Sequence, residues 1–533
     1  MTTTHLMLCQ IGPVQSFIAA GRRTADLHIG SRLLSRLVYA GVKAARQANA
    51  DMLFPSYGDQ TPESPTGLSH RFAFIVSAEP AGVGEAIDNA ILTEWGTYAS
   101  RVHEWLRSEV GPGDWEEVFE RGRDNWLEFY WVVVPYDESR HAECYRDANA
   151  AMAQRKNLRH FPQIEEPGWK CTLTVASSAL PLPPATKSSG YAELRRAWER
   201  FSERRGGVIV RKNEMLGAVA MIKRFVGEAT NDKDLNERFP STDEIAGRRV
   251  EDESEGKEVE GYLAVLHMDG DRMGEKLSGL KSKDAHQTFS RALREFAVRE
   301  VPGIVTSYQR AQLVYAGGDD VVALLPLRPA LNCADRIRQR YGEVMRDKAG
   351  VLGATMSAGI AVVPSNYPLD LAIEIAREAE RQAKSQYSRD AVVITEAHGT
   401  GHRRSAGAKW QINEGQSIAS LVDRLISVFR GEDGDGRISA KIGYDMLEIA
   451  YVLTGSALKN GEVIPRAARE AELRRLLKRR ALEGSSAEKL ADELVPVLMV
   501  WGEHKSVGWE ALANWVIFAR FLASEERVGN RAS

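Results

Sequence analysis

The stretch Leu313-Val314-Tyr315-Ala316-Gly317-Gly318-Asp319-Asp320-Val321-Val322-Ala323-Leu324-Leu325 sets two adjacent carboxylates directly after two glycines. Neighbouring carboxylates repel, so a turn that holds them together calls for a cation. Glycines beside them let a bulky polyanion approach the backbone closely. A second acidic turn lies upstream, where the apolar run from Gly261 ends in Met268-Asp269-Gly270-Asp271-Arg272-Met273-Gly274. Four carboxylates at one sheet edge can hold two divalent ions, an arrangement suited to in-line displacement at phosphorus. Asp and Gly are common turn residues, so Gly-Gly-Asp-Asp alone says little. The signal is the pair of acidic turns at this spacing.

The elements that must position these turns can be read from the flanks. The two runs around Gly317-Gly318 are short, apolar and rich in β-branched or aromatic residues, which predicts a β-hairpin. The apolar run before Asp269 predicts a strand, and 281–300 predicts a helix. Strand, helix and hairpin form a split β-α-β unit, whose third strand lies between the first and second and antiparallel to both. That topology brings the end of the first strand beside the hairpin. Asp269 and Asp271 are therefore expected near Asp319 and Asp320, with Asp271 either a direct metal ligand or a support behind the ligands.

The remaining chain places this unit among others. At 533 residues it is too long for one compact core, and two to four domains are expected. A hydrophobic content of 43% and a charged content of 27% are ordinary for a globular protein. A net charge of -3 leaves no general pull on a polyanion, so nucleic-acid contacts must come from local patches or partner subunits. Cys9, Cys144, Cys171 and Cys333 are scattered without a CxxC, which gives no zinc ribbon and fits a reducing compartment. The N-terminus does not read as a signal peptide, and no apolar run is long enough to cross a bilayer.

Before the acidic turns, 5–11 reads as a strand, 14–48 as one long helix, 71–76 as a strand, 83–110 as a helix and 128–135 as a strand. This repeats the strand-helix-strand logic without an acidic pair at a turn. Arg22, Arg23, Arg32 and Arg36 line the long helix, either as a solvated face or as a docking site for phosphate or a partner. The segment 169–184 is irregular and proline-rich, 191–205 helical, and Glu251–Glu258 a charged loop. After the hairpin come a helix over 330–348, a strand over 355–363, a helix over 369–386 and a strand over 391–395 that closes the sheet. From Gly407 on the pattern is almost entirely helical, with periodic runs over 418–429, 439–453, 466–482, 486–500 and 509–522. The 466–480 stretch is basic, as a solvated face or an RNA- or subunit-docking face. Asp433-Gly434-Asp435-Gly436 lacks the final glutamate of a calcium loop and reads as a turn.

Three segments resemble one family. Ile11-Gly12-Pro13-Val14-Gln15-Ser16-Phe17-Ile18, with Arg22-Arg23-Thr24 and Gly30-Ser31 behind it, resembles the first palm domain of the large, polymerase-like subunit of type III CRISPR effector complexes, in particular the Cmr branch. Met268 to Gly274 resembles the start of its second palm. Gly317-Gly318-Asp319-Asp320, with Ser357-Ala358-Gly359-Ile360 and Ala383-Lys384, resembles its cyclase signature, shared with nucleotide and diguanylate cyclases.

The resemblance implies an α+β chain with two ferredoxin-like palm domains and a C-terminal α-helical domain. The expected divisions are 1–165, a first palm without a metal site; 166–250, an inter-palm region where a zinc ribbon has degenerated; 251–405, the second palm; and 406–533, the helical domain. It implies synthesis of a cyclic oligoadenylate second messenger from ATP when the assembled complex binds foreign RNA. Asp319 and Asp320 would be catalytic, and Asp269, Asp271, Asp319 and Asp320 would hold Mg²⁺ or Mn²⁺. Gly317 and Gly318 would bear the triphosphate, and Ser31 would line the second nucleotide pocket. Lys384 would either reach a phosphate or extend to solvent at a helix C-terminus. Partners would be the other complex subunits, guide RNA and target RNA, in the cytoplasm with no membrane. The chain begins at the first palm and contains no His-Asp dipeptide, so no DNase is expected of it. Cys171 has no partner cysteines, so no zinc is expected. AMP transfer to another acceptor such as S-adenosylmethionine, a structural ATP-binding scaffold and a stand-alone diguanylate cyclase are the rival readings.

Overall fold

The computed structural model describes residues 4–57, 65–158, 166–174, 176–247, 261–398, 401–413, 415–431, 437–454, 464–482 and 485–529. The Glu251–Glu258 charge run and the Asp433–Gly436 turn lie outside these residues.

The first domain is built on β1 (His5–Gly12), α1 (Gln15–Ala19), α2 (Thr24–Gln47), β2 (Asp51–Phe54), β3 (Arg71–Val76), α3 (Pro80–Val110), α4 (Trp115–Asp124), β4 (Glu128–Pro135) and α5 (His141–Asn157). Its antiparallel sheet has the order β2-β3-β1-β4. Side chains alternate across a strand. Met7 and Cys9 therefore join Phe72 and Phe74 under α2 and α3, while Leu6 and Leu8 face Tyr145 and Met152 of α5. This is a ferredoxin-like palm. The expected single helix over 14–48 is two, because Asp26 turns back and accepts the backbone N–H groups of Arg22 (3.2 Å) and Arg23 (3.3 Å). An acidic side chain bonding nearby backbone competes with helix continuation. The short strand β2 has no alternating signature, and periodicity passes over it.

The inter-palm region carries α6 (Tyr191–Arg204), α7 (Ala218–Thr230) and α8 (Thr242–Ala246). Cys171 is buried there, its sulfur accepting the Leu173 N–H at 3.4 Å. Arg23, Arg32 and Arg36 are partly buried against this region and form neither a solvated face nor a free phosphate dock, whereas Arg22 stays exposed. Arg36 pairs with Asp232 (2.6 Å) and Asp234 (2.9 Å), Arg32 lies 3.6 Å from Asp234, and Arg22 and Arg23 donate to the carbonyls of Thr172 and Ile209.

The second palm runs through β5 (Tyr262–Gly270), α9 (Met273–Ser278), α10 (Lys283–Glu295), α11 (Val301–Thr306), β6 (Gln312–Gly317), β7 (Asp320–Pro326), α12 (Ala330–Ala349), β8 (Met356–Pro364), α13 (Leu369–Ser385), β9 (Ala391–Ala397) and β10 (Arg403–Lys409). The sheet order is β10-β9-β8-β5-β7-β6. As expected, β7 lies between β5 and β6 and is antiparallel to both. Leu266 and Met268 face Phe289 and Tyr341 from α10 and α12, while Leu263 and Val265 share the core of the first palm and α13. Fully burying one such side chain is worth about 1.5–3 kcal/mol, so the two palms are held against each other by apolar packing.

Two expectations about the end of this domain are corrected. The strand over 391–395 does not close the sheet, because β10 pairs with it antiparallel. The boundary at 405/406 cuts through β10, and a small hairpin of β11 (Gln411–Asn413) and β12 (Gln416–Ser417) follows before the helices begin. Small and polar residues such as Ser405, Ala406 and Gly407 carry little strand signal.

The C-terminal domain packs α14 (Ile418–Arg430), α15 (Ile442–Leu453), α16 (Arg466–Arg480), α17 (Ala487–Glu503) and α18 (Gly508–Gly529) around Leu494, Leu498, Trp501 and Trp515. The basic helix α16 is a solvated face whose charges are largely met by acids, with Arg479 exposed. Arg466 and Arg469 pair with Glu503, Arg474 with Asp492, Arg475 with Glu472, Lys478 with Glu488 and Arg480 with Asp445. None of the described helices is long and apolar enough to cross a membrane.

Candidate active site between the two palms

The acidic turns meet as the topology requires. Met268 is opposite Val321, so the strand end carrying Asp269 and Gly270 lies beside the tip of the β6–β7 hairpin. Gly317 pairs with Asp320, leaving Gly318 and Asp319 as the two-residue turn. Gly318 has φ 71°, which glycine adopts without steric cost. Gly317 serves packing, since a Cβ there would stand 1.9 Å from the Tyr315 hydroxyl. Gly270 is where the two turns touch: a Cβ on it would lie 2.7 Å from Asp319 Oδ2. The glycine of Asp-Gly-Asp thus makes room for the hairpin aspartate. Arg272, next along, holds a left-handed φ of 56°, a strained backbone at the edge of the site.

Gly359 brings in a third element. A Cβ there would meet Ala376 O at 2.0 Å, so α13 lies directly on the sheet. This seats Arg377, Glu380 and Lys384 against the carboxylates. The Lys384 ammonium pairs with Asp269 and, at 2.8 Å, with Glu380. Burial opposes its charge, but Asp269 and Glu380 outweigh burial and hold it above the usual lysine range. Lys384 therefore neither extends to solvent nor stands free for a phosphate; it is the counter-ion of Asp269.

Asp319 and Asp320 have no such partner. Burial, then repulsion from Asp269 and Asp320, pushes the Asp319 carboxyl well above the ordinary range. Burial and Asp269 push Asp320 up to about 7, although a third of its side chain remains exposed. Its Oδ1 is buried without a hydrogen-bond partner, and His267 Nε2 stands 3.6 Å away, beyond hydrogen-bond reach. Burial holds His267 down to about 3, so the ring is neutral and offers no countercharge.

Asp271 is placed differently. Its carboxylate accepts from Thr355 Oγ1 (2.8 Å), Ser357 Oγ (2.8 Å) and the Asp390 N–H (2.9 Å), and the residue is 2% exposed. The hydroxyl of Ser357 is thereby explained as a support for the Asp-Gly-Asp turn. Of the four expected carboxylates, Asp269, Asp319 and Asp320 face one another, whereas Asp271 is occupied by these three donors. Lys276, which sequence reasoning missed, donates to the Asp271 carbonyl at 2.6 Å, and burial lowers its pKa. Arg377 and Glu380 were missed too. They share a helix face with Lys384 at i, i+3 and i+7, a spacing that could have flagged them.

The donor set suits a hard cation. Hard oxygens, mutual repulsion and an orphaned Oδ1 are what Mg²⁺ or Mn²⁺ would satisfy. Among the described residues no three acidic, histidine or cysteine side chains are gathered as a ready ligand cage.

A cavity of about 430 Å³ opens beside the hairpin, between the two palms. Gly318, Asp319 and Met273 form one end, Arg71 and Arg294 stand on its walls, and Phe54, Tyr145, His286 and Phe289 form an aromatic end. The Nε atoms of Arg71 and Arg294 are buried without hydrogen-bond partners. Ser31, the expected second-nucleotide residue, is buried in α2 and does not line this cavity.

Residues 262–393 match the family model "Cas10/Cmr2, second palm domain", and residues 6–99 match "CRISPR-associated protein Cmr2, N-terminal". The CRISPR system Cmr subunit Cmr2 of Pyrococcus furiosus is 33% identical over 159 residues, which cover 25% of this chain and 18% of that relative. The chain's fold resembles one chain of a type III-B Cmr-beta assembly in its apo state, with a TM-score of 0.63 at 12% identity over 92% of this chain and 79% of the other. The same assembly bound to cognate target RNA gives 0.63 at 13% identity, covering 92% and 80%. A Csm1-Csm4 cassette in complex with cA3 gives 0.51 at 14% identity, covering 97% and 70%.

Proposed function

This chain is of the Cas10/Cmr2 type, and from that premise we propose that it is the nucleotidyltransferase subunit of a type III-B CRISPR effector complex, making cyclic oligoadenylate from ATP once target RNA is bound. The observation that carries the reading is the cavity between the palms. It joins the carboxylate Asp319, two arginines and an aromatic end in one space of about 430 Å³, within the range of nucleotide-sized sites. A nucleoside triphosphate has matching parts: a flat base, a polyanion and a reacting phosphorus.

The residues divide the work. Phe54, the partly exposed ring of the aromatic end, takes the base by apolar contact. Arg71 and Arg294 bring guanidinium charge to the cavity wall for phosphate oxygens. Gly318 leaves open space beyond its Cα, so phosphates can lie on the hairpin. Asp269, Asp319 and Asp320 would hold Mg²⁺ or Mn²⁺, which when bound activates a 3′-hydroxyl and stabilises the departing pyrophosphate. Lys384 neutralises Asp269 until then. Asp271, Thr355 and Ser357 keep the turn rigid. The guide RNA, target RNA and other subunits would dock elsewhere and set how the palms sit, since a misplacement of about 1 Å can cost on the order of a hundredfold in rate.

The test is mass spectrometry of products formed from ATP by the assembled, target-bound complex, with and without S-adenosylmethionine. Cyclic adenylates that vanish in the Asp319→Ala/Asp320→Ala complex are expected. An AMP adduct of S-adenosylmethionine would shift the reading to another acceptor. Wild-type product yield from the double variant would refute the assignment of these aspartates.

A further inference from the structure

A second cavity, of about 500 Å³, opens at β2, the edge strand of the first palm, where α10 of the second palm packs against it. It shares no lining residue with the cavity that holds Asp319. Ser56 lines the one and Ser290 the other, and the Ser56 N–H donates to Ser290 Oγ at 2.9 Å across the wall between them. Arg46 reaches the second cavity from the last turn of α2 and Arg291 from α10, so each palm contributes one cation.

Neither cation is neutralised. Arg36, on the same helix as Arg46, meets two aspartates. Among the described residues no carboxylate pairs with Arg46 or Arg291. Arg291 is exposed and reaches only hydroxyls, Thr288 Oγ1 at 2.8 Å and Ser56 Oγ at 3.4 Å. A guanidinium carries five N–H donors, so most of its capacity stays open to the cavity and solvent. Arg46 is half-buried, with its Nη1 unpartnered. The carboxylate that lines the cavity, Asp51, is already committed: Oδ2 accepts from Lys283 Nζ and Oδ1 from Gln287 Nε2, both at 2.8 Å. Asp51 and Lys283 cancel, which leaves the two arginines as the net charge of the cavity. Two like charges around one space repel until an anion lies between them.

We propose that this cavity is a phosphate-binding site bridging the two palms, in which Arg46 and Arg291 hold the oxygens of a pyrophosphate or of a phosphodiester. The planar fork of a guanidinium matches phosphate oxygens, and two forks from opposite walls can share one anion. The volume lies within the range of small-molecule sites. The assignment rests on these charges and not on the reading of the inter-palm cavity. Both ligands are nonetheless what transfer of a nucleotidyl group from ATP leaves behind: pyrophosphate is the leaving group and the phosphodiester is the new bond. An anion held here ties the end of α2 to α10, and so one palm to the other.

The test is calorimetric titration of the full chain with sodium pyrophosphate and, separately, with adenylyl-(3′→5′)-adenosine, which carries a phosphodiester and no terminal phosphate. Metal-free buffer keeps a cation from drawing pyrophosphate to Asp269, Asp319 and Asp320. At least one of the two ligands should bind, and Arg291→Met and Arg46→Met should each weaken it about tenfold or more, since each removes charge-assisted hydrogen bonds. Arg291 is exposed, so its variant probes the site without disturbing the core. Tighter binding of pyrophosphate assigns the site to the free anion; equal or tighter binding of the dinucleotide assigns it to an oligonucleotide chain. Absence of binding by either ligand overturns the proposal, and so does binding that neither substitution weakens. Binding weakened by Arg71→Met but untouched by Arg291→Met would place the anion in the inter-palm cavity and overturn it as well, leaving the reading of that cavity in force.

Discussion

The Lys384 ammonium sits on the Asp269 carboxylate, joining the last turn of α13 to the end of β5 across 115 residues of sequence. A divalent ion drawn to Asp269 must compete with it. Lys384→Met should therefore tighten Mn²⁺ binding in the absence of nucleotide by about three- to tenfold, since removing a nearby cation strengthens the carboxylates' pull on another. Electron paramagnetic resonance of free Mn²⁺ reads this directly. Unchanged or weaker Mn²⁺ affinity would show that Lys384 is not the ion's competitor.

Asp319 and Asp320 set a pH dependence with a definite sign. Their carboxyls are raised in the fold, Asp320 to about 7, whereas an unfolded aspartate titrates near about 3.9. The folded state therefore binds protons that the unfolded state has already lost. Below about 4 both states are protonated and nothing is lost; stability falls as pH rises from there through about 7. Metal-free protein should melt at a lower temperature at pH 8 than at pH 5.5, and Mg²⁺ should restore part of the difference. Asp319→Asn/Asp320→Asn isolates the effect, because its melting point should lose this pH slope. A double variant with the wild-type slope would refute the assignment.

Asp271 supports the turn through its hydrogen bonds. Its carboxylate accepts three hydrogen bonds in a buried setting, so Asp271→Asn leaves at least one donor unsatisfied. A loss of about 1–3 kcal/mol is expected in chemical denaturation, with or without metal. Full stability paired with lost Mn²⁺ binding would instead make Asp271 a direct ligand.

Arg36 ties the first palm to the inter-palm region through Asp232 and Asp234, with only 17% of its side chain exposed. Arg36→Met is expected to cost about 1–3 kcal/mol of stability and to leave the RNA affinity of the assembled complex unchanged. An RNA-binding defect in a variant of normal stability would restore the phosphate-docking reading. The same logic covers Arg469 and Arg480 of α16, which are partnered by acids of the same domain.

What the sequence by itself determined is local. Alternation and periodicity lie in neighbouring residues, so β5, the β6–β7 hairpin, α12, α13 and the five C-terminal helices stand close to where the pattern puts them. The split β-α-β topology follows from element order, and it placed Asp269 beside Asp319 and Asp320. β2 and β10 escaped notice because short or small-residue strands are decided by the sheet they join, not by their own propensity. Which charges pair was decided only by the tertiary structure. A basic helix looks alike whether it faces water or acids, and Asp271 looks like Asp269 until Thr355, Ser357 and the Asp390 N–H close on it. The inter-palm cavity is the extreme case. Phe54, Tyr145, His286 and Asp319 come from both palms, and no spacing rule links them. Their meeting depends on how the two sheets pack, because apolar burial is non-directional and leaves no mark in sequence order.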